Sequence, residues 1–388
     1  MKKLAPIALV AFALACADPT GPVPTPSAGP SKVVLAAQGK GIPGDWIVVF
    51  HDDVTDVSGL TEELARAHAA SVRFTYTSAI KGFAATLPQA AVDAIANNPN
   101  VAYVEQDQEY TIDATQSSAT WGIDRIDQRS LPLSTTYTYT ATASGVYAYI
   151  IDTGIYTSHS NFGGRASNVY DAFGGNGQDC NGHGTHVAGT VGSATYGVAK
   201  SVRLRGVRVL NCSGSGSTSG IIAGLDWVRA NRVNPAVANM SLGGGYSSSL
   251  NTASTNLANS GVFLAVAAGN SNANACNYSP ASASGVFTVA ASTSSDYKAS
   301  YSNYGSCVEA YAPGSSIRST WLNGGTNTIS GTSMASPHVA GVAALYKATY
   351  GNASSSTINS WLINNASTSK IRNNPTGTPN RLLYKSTL

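Results

Sequence analysis

The chain has 388 residues, of which 43% are hydrophobic and only 11% are charged, and it contains 39 glycines. This composition is typical of a compact, loop-rich globular protein and excludes a disordered chain, while the lack of long basic runs argues against a nucleic-acid partner. Residues 1–113 carry 7 Lys and Arg against 12 Asp and Glu, whereas residues 114–388 carry 16 against 8. Such opposite charges favour association of the two parts.

The first 17 residues resemble an export signal. Lys2 and Lys3 precede an apolar run over 7–15 that is too short to span a bilayer. We therefore expect a signal peptide over 1–17 and a secreted protein without a membrane span. Cys16 leaves open a lipid-anchored cysteine, although ordinary secretion is favoured.

Residues 18–44 are rich in Pro, Gly, Ser and Thr and are predicted to be a linker. Residues 45–113 then show the pattern of a small domain. Strands are predicted over 46–50, 73–77, 81–87 and 101–105, and helices over 60–70 and 89–96. The order βαββαβ predicts a ferredoxin-like α+β domain.

Residues 114–388 alternate short apolar strands with helices. Strands are predicted over 146–151, 202–210, 237–240, 262–267 and 286–290, and helices over 183–191, 217–232, 250–260 and 333–349. This alternation predicts an α/β domain with a doubly wound, mostly parallel sheet. Ligands bind such sheets outside the carboxyl ends of the strands, a rule that points to Asp152 and Asn270.

Four cysteines follow Cys16, at positions 180, 212, 276 and 307. An even number in an exported chain predicts two disulfides, for which three pairings are possible. No CxxC pair is present, so a zinc or thiol-redox site is disfavoured.

Four motifs supply the groups that nucleophilic acyl transfer needs. Asp152 lies in Ile-Asp-Thr-Gly, His183 in Asn-Gly-His-Gly-Thr-His, Asn270 in Ala-Ala-Gly-Asn and Ser333 in Gly-Thr-Ser-Met-Ala-Ser-Pro-His. A serine hydroxyl needs a base, an imidazole suits that step, and a carboxylate fixes the imidazole tautomer. Ser333 alone would fit a helix cap equally well. Together, the four motifs favour a catalytic site.

The order Asp, His, Ser along the chain is the subtilisin order. In these motifs the sequence resembles the subtilisin-like serine proteases, within them the proteinase K group, and most closely aqualysin-like enzymes. The resemblance covers residues 114–388, and residues 45–113 are similar to the family's inhibitory propeptide. It implies that Asp152 orients the base, His183 is the base and acid, Ser333 is the nucleophile, and Asn270 donates to the oxyanion.

That resemblance also implies a secreted, self-processing endopeptidase that acts on proteins and peptides as a monomer. The tail over 110–113 would lie in the active-site cleft until cleavage near Ala114, and the propeptide would act as an intramolecular inhibitor. Two other functions are weighed against this one. An inactive subtilisin-like binding module would need a missing catalytic residue, and none is missing. A serine esterase or lipase would call for GxSxG, from which the segment 331–335 departs at its last position.

Substrate contacts are expected along two segments that flank the motifs. Backbone edges for an extended peptide are predicted at Gly214, Ser215 and Gly216. An uncharged pocket for the side chain before the cut bond is predicted from the residues Leu242, Gly243, Gly244, Ala267 and Gly269. We expect a preference for apolar or aromatic side chains, although each glycine could equally meet the requirement of a turn.

The resemblance further implies the disulfides Cys180–Cys212 and Cys276–Cys307 and a structural calcium ion. One implied calcium site consists of Asp124, Asp127 and Gln128, whose oxygens suit a hard cation. The second consists of the carbonyls of Ser284 and Val286 with the carboxylate of Glu309, where the family usually has aspartate. His183 and His186 could suggest a metal pair, but no HExxH glutamate and no third ligand accompany them, so His186 is expected to be packed or hydrogen-bonded and His338 to be structural.

Overall fold

The computed structural model describes residues 32–36, 41–108 and 114–388. The chain divides into two compact units, residues 1–109 and 110–388. None of the described helices is both long and apolar enough to cross a membrane. The predicted signal peptide, Cys16 and the tail over 110–113 lie outside the described residues.

The smaller unit is a five-stranded sheet with two helices, in which one additional strand precedes the predicted βαββαβ order. Its elements are β1 (Val33–Val34), β2 (Gly41–Phe50), α1 (Val57–Ala67), β3 (Ser71–Tyr76), β4 (Gly82–Thr86), α2 (Gln89–Ala96) and β5 (Val101–Gln108). The strand order is β1-β5-β2-β4-β3, in which β2 is antiparallel to both β4 and β5. Helix α1 begins where the Asp56 carboxylate accepts a hydrogen bond from Gly59 N at 2.8 Å.

The predicted linker over 18–44 contributes to this sheet. Val33 and Val34 pair in parallel with Val104 and Glu105, and β2 begins at Gly41. The prolines of this segment do not prevent it, because the pairing residues Val33 and Val34 both carry the backbone N–H that proline lacks. The folded unit therefore starts before residue 45.

The larger unit is a nine-stranded sheet with helices on both faces. Its described elements are β6 (Ala114–Ser117), α3 (Trp121–Asp127), β7 (Thr136–Tyr139), β8 (Tyr147–Asp152), β9 (Ala166–Asp171), α4 (His183–Gly192), β10 (Arg203–Arg208), α5 (Thr218–Asn231), β11 (Ala236–Met240), β12 (Gly244–Gly245), α6 (Ser248–Asn259), β13 (Phe263–Ala267), β14 (Tyr278–Ser279), β15 (Phe287–Ser292), β16 (Ala310–Pro313), β17 (Ile317–Thr320), β18 (Thr326–Ile329), α7 (Thr332–Tyr350), α8 (Ser355–Asn365), β19 (Ser367–Thr368) and β20 (Arg381–Leu382). The sheet order is β19-β20-β16-β15-β13-β11-β8-β10-β9.

Every described pairing in this sheet is parallel except β19 with β20. Alternate residues of β8 enter different cores: Ala148 and Ile150 belong to the core of α4 and α7, whereas Tyr149 and Ile151 belong to that of α5 and α6. A strand buried on both faces reads as a continuous apolar run, which is why the sequence revealed it. The predicted doubly wound α/β fold is confirmed.

Two glycines allow the end of β8 to touch the start of α4. Gly154 has φ +96°, and a β-carbon there would lie 2.0 Å from the carbonyl oxygen of Gly177. A β-carbon at Gly184 would lie 2.2 Å from the carbonyl oxygen of Gly154. A side chain at Gly184 would push α4 away from the end of β8, and one at Gly154 would displace the segment 177–179 that leads to α4. This contact brings Asp152 and His183 within reach of each other.

Candidate active site

Asp152 and His183 form a hydrogen-bonded pair. Asp152 is the last residue of β8 and is fully buried, and His183 is the first residue of α4. His183 Nδ1 lies 2.8 Å from Asp152 Oδ1, which also accepts from Thr153 N at 2.7 Å. Burial lowers the pKa of His183, but the charge and hydrogen bond of Asp152 and the charge of Asp179 outweigh it, so the pKa lies above its ordinary value. The imidazole is thus oriented and stabilised in its protonated form.

Ser333 lies in the first turn of α7, and its carbonyl is bonded from outside the helix. Pro337, four residues later, has no N–H to donate to that carbonyl. The hydroxyl of Ser241 donates to the Ser333 carbonyl at 2.7 Å, and the hydroxyl of Ser333 donates to the Ser241 carbonyl at 3.1 Å. Ser241, the residue directly after strand β11, therefore fixes the position of Ser333 through two hydrogen bonds.

A buried chain of neutral hydrogen bonds supports Ser241. Asn239 Nδ2 donates to Ser241 Oγ at 2.8 Å, and Ser336 Oγ donates to Asn239 Oδ1 at 2.7 Å. All three side chains are buried. Each polar atom has a fixed role in the chain, so Ser241 Oγ is left to donate towards Ser333.

Asn270 follows β13 and has its amide oriented by Thr332. Asn270 Oδ1 accepts from Thr332 N at 2.8 Å and from Thr332 Oγ1 at 3.0 Å, which leaves Nδ2 for a ligand. A carbon placed on Gly331 Cα as a side chain would lie 3.6 Å from both Asn270 Nδ2 and Ser333 N. Two N–H donors thus lie close to one point beside the Ser333 backbone.

These groups border two adjoining cavities that share Leu242 and Gly243. The first, of about 520 Å³, is lined by His183 and by the segment 213–216. The second, of about 210 Å³, is lined by the segments 243–245 and 267–271 together with Ser333. No Asp, Glu, Lys or Arg is among these lining residues. All eight residues predicted to contact substrate line one cavity or the other.

The structure contains both disulfides of the pairing that the resemblance implies. The Cα atoms of Cys180 and Cys212 are 5.0 Å apart, and those of Cys276 and Cys307 are 5.3 Å apart. The first bridge joins the segment before α4 to the segment that begins the predicted substrate edge. It therefore limits how far the two walls of the first cavity can separate.

The residues of the first implied calcium site are engaged with protein donors. Asp124 and Gln128 both accept from Ser134 N, at 3.2 and 3.1 Å. Asp127 instead accepts from Thr138 N at 2.7 Å and has the Lys385 ammonium at 3.3 Å. The described residues contain no cluster of three or more His, Cys, Asp or Glu that could hold a metal ion.

The oxygens of the second implied calcium site are only partly occupied by protein hydrogen-bond donors. Burial raises the pKa of Glu309 to about 8, and its carboxyl accepts from Thr288 N. The Ser284 carbonyl accepts from the Thr255 hydroxyl at 2.8 Å, which leaves one lone pair available. A half-buried carboxyl without a full counter-charge is a chemically suitable ligand for a cation.

His186 and His338 are buried and hydrogen-bonded to backbone carbonyls. His186 Nε2 lies 2.9 Å from the Ile317 carbonyl, and His338 Nδ1 lies 2.8 Å from the Met334 carbonyl. Burial lowers the pKa of each to about 4, so both are neutral near pH 7. Both side chains therefore lie in the packed interior of the domain and do not face the cleft.

Fold and site together define a serine proteinase built on a doubly wound parallel sheet. The chain belongs to the Subtilase family, which residues 143–382 match, and residues 46–113 match the Peptidase inhibitor I9 family. The chain is thus a subtilisin-like serine proteinase preceded by an inhibitor-type propeptide domain.

Similar proteins cover most of the chain. An extracellular serine proteinase of Thermus sp. (strain Rt41A) is 51% identical over 88% of this chain and 90% of its own length. Proteinase R of Parengyodontium album is 45% identical over 90% of this chain and 91% of its own length. The crystal structure of a cold-adapted subtilisin-like serine proteinase superposes with a TM-score of 0.69 at 53% identity, covering 70% of this chain and all of that one.

Proposed function

We propose that the chain hydrolyses peptide bonds through Asp152, His183 and Ser333. The 2.8 Å contact between His183 and Asp152, at the rim of a cleft that also exposes Ser333, carries this proposal. Ser333 Oγ attacks the substrate carbonyl carbon as its proton passes to His183 Nε2. His183 then returns that proton to the leaving amine, and water releases the acyl group from Ser333 by the same route reversed.

Asn270 Nδ2 and Ser333 N are proposed to bind the oxygen that becomes negative during this attack. Their support is the common point that both donors approach beside Gly331. Preorganised donors of this kind stabilise the developing charge at no cost of reorganisation. The positive end of the α7 dipole adds to the effect.

The direct test uses the precursor itself. Purified Ser333→Ala precursor is expected to remain uncleaved near Ala114, whereas the unchanged precursor matures. N-terminal sequencing and intact mass give the processing point and the mature ends, and they also report whether Cys16 is lipidated. Maturation of the purified variant at the normal rate would contradict self-processing through Ser333.

Casein and a short-chain ester, each with and without a serine-directed inhibitor, test the alternatives. Cleavage of casein that the inhibitor blocks is expected. Esterase activity alone does not discriminate, because acyl-enzyme proteases also cleave activated esters.

We propose that substrates bind as an extended strand along Gly214, Ser215 and Gly216. The side chain before the cut bond would enter the smaller cavity, whose lining has no charged group. Apolar and aromatic residues are therefore favoured there, since a charge would lose its hydration without a partner. A mixture of peptides that differ only at this position measures the preference, and equal cleavage after Lys or Glu would contradict it.

The proposed division of the precursor is a signal peptide over 1–17, a Pro/Gly-rich segment over 18–44 whose later residues join the propeptide sheet, an inhibitory propeptide over 45–113 and a monomeric peptidase domain over 114–388. Secretion is supported by the extracellular relative from Thermus. The I9 match supports inhibition by the propeptide. Isolated propeptide is expected to inhibit the mature enzyme reversibly until it is digested.

We propose a structural calcium ion at Glu309 with the carbonyls of Ser284 and Val286. Its support is the half-buried Glu309 carboxyl, which accepts a hydrogen bond from Thr288 N, together with its raised pKa. The set of Asp124, Asp127 and Gln128 fits less well, because Lys385 already neutralises Asp127. No catalytic step involves the ion.

The calcium proposal has a pH signature. Without metal, Glu309 holds its proton in the folded state up to about pH 8 but loses it in the unfolded state near its ordinary pKa of 4.5. The free energy of unfolding therefore falls as pH rises through that window. Bound calcium keeps the carboxylate ionised and removes the fall. Thermal unfolding of the Ser333→Ala chain, dialysed with or without calcium, measures this, with Glu309→Gln as control; identical curves would contradict the site.

A further inference from the structure

A second buried carboxylate, that of Asp179, connects the segments that carry Asp152 and His183. Asp179 is 4% exposed. Its oxygens accept five hydrogen bonds: Oδ1 from Thr153 Oγ1, Asn181 N and Gly182 N, each at 2.9 Å, and Oδ2 from Thr185 N at 2.9 Å and Thr185 Oγ1 at 2.5 Å. One side chain therefore fixes both the turn after β8 and the first turn of α4.

A simple helix cap would bond only to its own helix. Asp179 also bonds Thr153, the residue directly after Asp152 and 26 positions away in sequence. The Thr153 hydroxyl in turn accepts from Gly184 N at 2.9 Å, the residue directly after His183. Asp179 and Thr153 thus close a ring of hydrogen bonds around the backbone on which the Asp152–His183 contact depends.

Asp179 acts on His183 without reaching the substrate. Thr153 and Asn181 line the larger cavity, whereas Asp179 does not. Its negative charge nevertheless favours the protonated form of His183. Asp179 therefore acts on His183 as a fixed negative charge that does not contact the substrate.

We propose that Asp179 is a positioning residue for the Asp152–His183 pair and a second buried negative charge that supports the imidazolium formed during acyl transfer. The proposal rests on the proposed role of His183 as the base. Five satisfied donors keep the Asp179 charge in place at a fixed distance, which is the condition for electrostatic preorganisation.

The groups that face His183 are few. Asp152 approaches from β8 and Asp179 from the segment before α4, both with negative charge. His186, three residues further along α4, has its pKa lowered to about 4 and is neutral where the enzyme would work. Removing the charge of Asp179 therefore leaves Asp152 as the main support for protonated His183.

The test compares Asp179→Asn, Thr153→Val, Thr153→Ser and, as a matched control, Thr190→Val. Thr190 is a buried threonine of α4 whose hydroxyl donates to the His186 carbonyl at 3.2 Å. Mature variants are titrated for active sites, and kcat and KM are measured from pH 5 to 10. The self-cleavage rate of each precursor is measured over the same range, so that a variant that matures poorly still gives a result.

Asp179→Asn is expected to lower kcat by about 10- to 100-fold with little change in KM, because the pair is displaced from its reactive geometry. The acid limb of kcat/KM should move to lower pH, since loss of a negative charge lowers the pKa of His183. Thr153→Val should lower kcat without moving the acid limb, and Thr153→Ser should restore it. Thr190→Val should match the unchanged protein in both.

An Asp179→Asn acid limb at the original pH, or a Thr190→Val loss equal to that of Thr153→Val, would overturn the proposal. His183→Ala separates this failure from a failure of the proposed function. If His183→Ala retains activity, the role of His183 as base is wrong. If His183→Ala is inactive while Asp179→Asn behaves as the unchanged protein, only the role of Asp179 is wrong.

Discussion

Buried carboxylates hold one half of the site, whereas neutral hydroxyls and amides hold the other. The histidine half consists of Asp152, Asp179 and the first turn of α4, and its contacts involve two negative charges. The serine half consists of the exit of β11, Asn270 and the first turn of α7, and its contacts are hydrogen bonds between uncharged groups. Changes of pH and removal of charged side chains should therefore affect the histidine half, whereas the serine half should respond to loss of hydrogen bonds without a shift of the pH profile.

The largest effect is expected from removing charge in the histidine half. Asp152→Asn should lower kcat by about 10⁴-fold, because an amide favours the wrong imidazole tautomer and does not stabilise the imidazolium. Active-site-titrated kinetics on a peptide substrate measure the loss. Asp171→Asn is the matched control, since Asp171 is a buried carboxylate whose ion pair is with Arg208. Equal losses in the two variants would remove the distinction between the halves.

A smaller effect is expected from the oxyanion donor in the serine half. Asn270→Asp keeps an oxygen for Thr332 but replaces the donating amide, and it should lower kcat by at least about 10²- to 10³-fold, a scale taken from a subtilisin. KM should change little, because the interaction develops in the transition state. Asn231→Asp, at an exposed position of α5, controls for the added charge. Retention of kcat by Asn270→Asp would exclude Asn270 as a donor.

The smallest effect is expected from the support behind the nucleophile. Ser241→Ala leaves the Ser333 carbonyl without its external donor and should lower kcat by about tenfold, in line with the loss of one hydrogen bond. Its pH profile should not move, in contrast to that of Asp179→Asn. Ser254→Ala is the matched control, because the buried Ser254 hydroxyl has no partner among the described residues. A shifted acid limb in Ser241→Ala would show that the two halves are electrostatically coupled.

The sequence predicted most of the features that depend on consecutive residues and few of those that depend on residues far apart in the chain. The strands β8, β10, β11, β13 and β15 and the helices α4 to α7 were predicted because apolar runs and helical periods are properties of consecutive residues. The buried strand β16 was not predicted. The half-buried edge strand β9 lacks an apolar run. Helix α3 contains a buried charged residue, Arg125, whose guanidinium pairs at 2.7 Å with the carboxylate of Asp296, far along the chain. Neither element was predicted.

The same division applies to the site. Asp152, His183, Asn270 and Ser333 each lie in a compact motif and could be selected from the sequence. The support from Ser241 joins residues 92 positions apart, and nothing near Ser241 indicates its partner. A carboxylate shortly before a helix start was a visible signal for Asp179, but only as an ordinary cap.

Pro337 has a consequence for the timing of activity. An ordinary helix satisfies its own carbonyls as it forms, so the first turn of such a helix could be complete before the rest of the domain. The carbonyl of Ser333 instead accepts its hydrogen bond from Ser241, and this bond can form only when β11 has joined the sheet. An incompletely folded chain therefore lacks one of the contacts that hold the nucleophile turn, which would weaken its ability to digest its own folding intermediates.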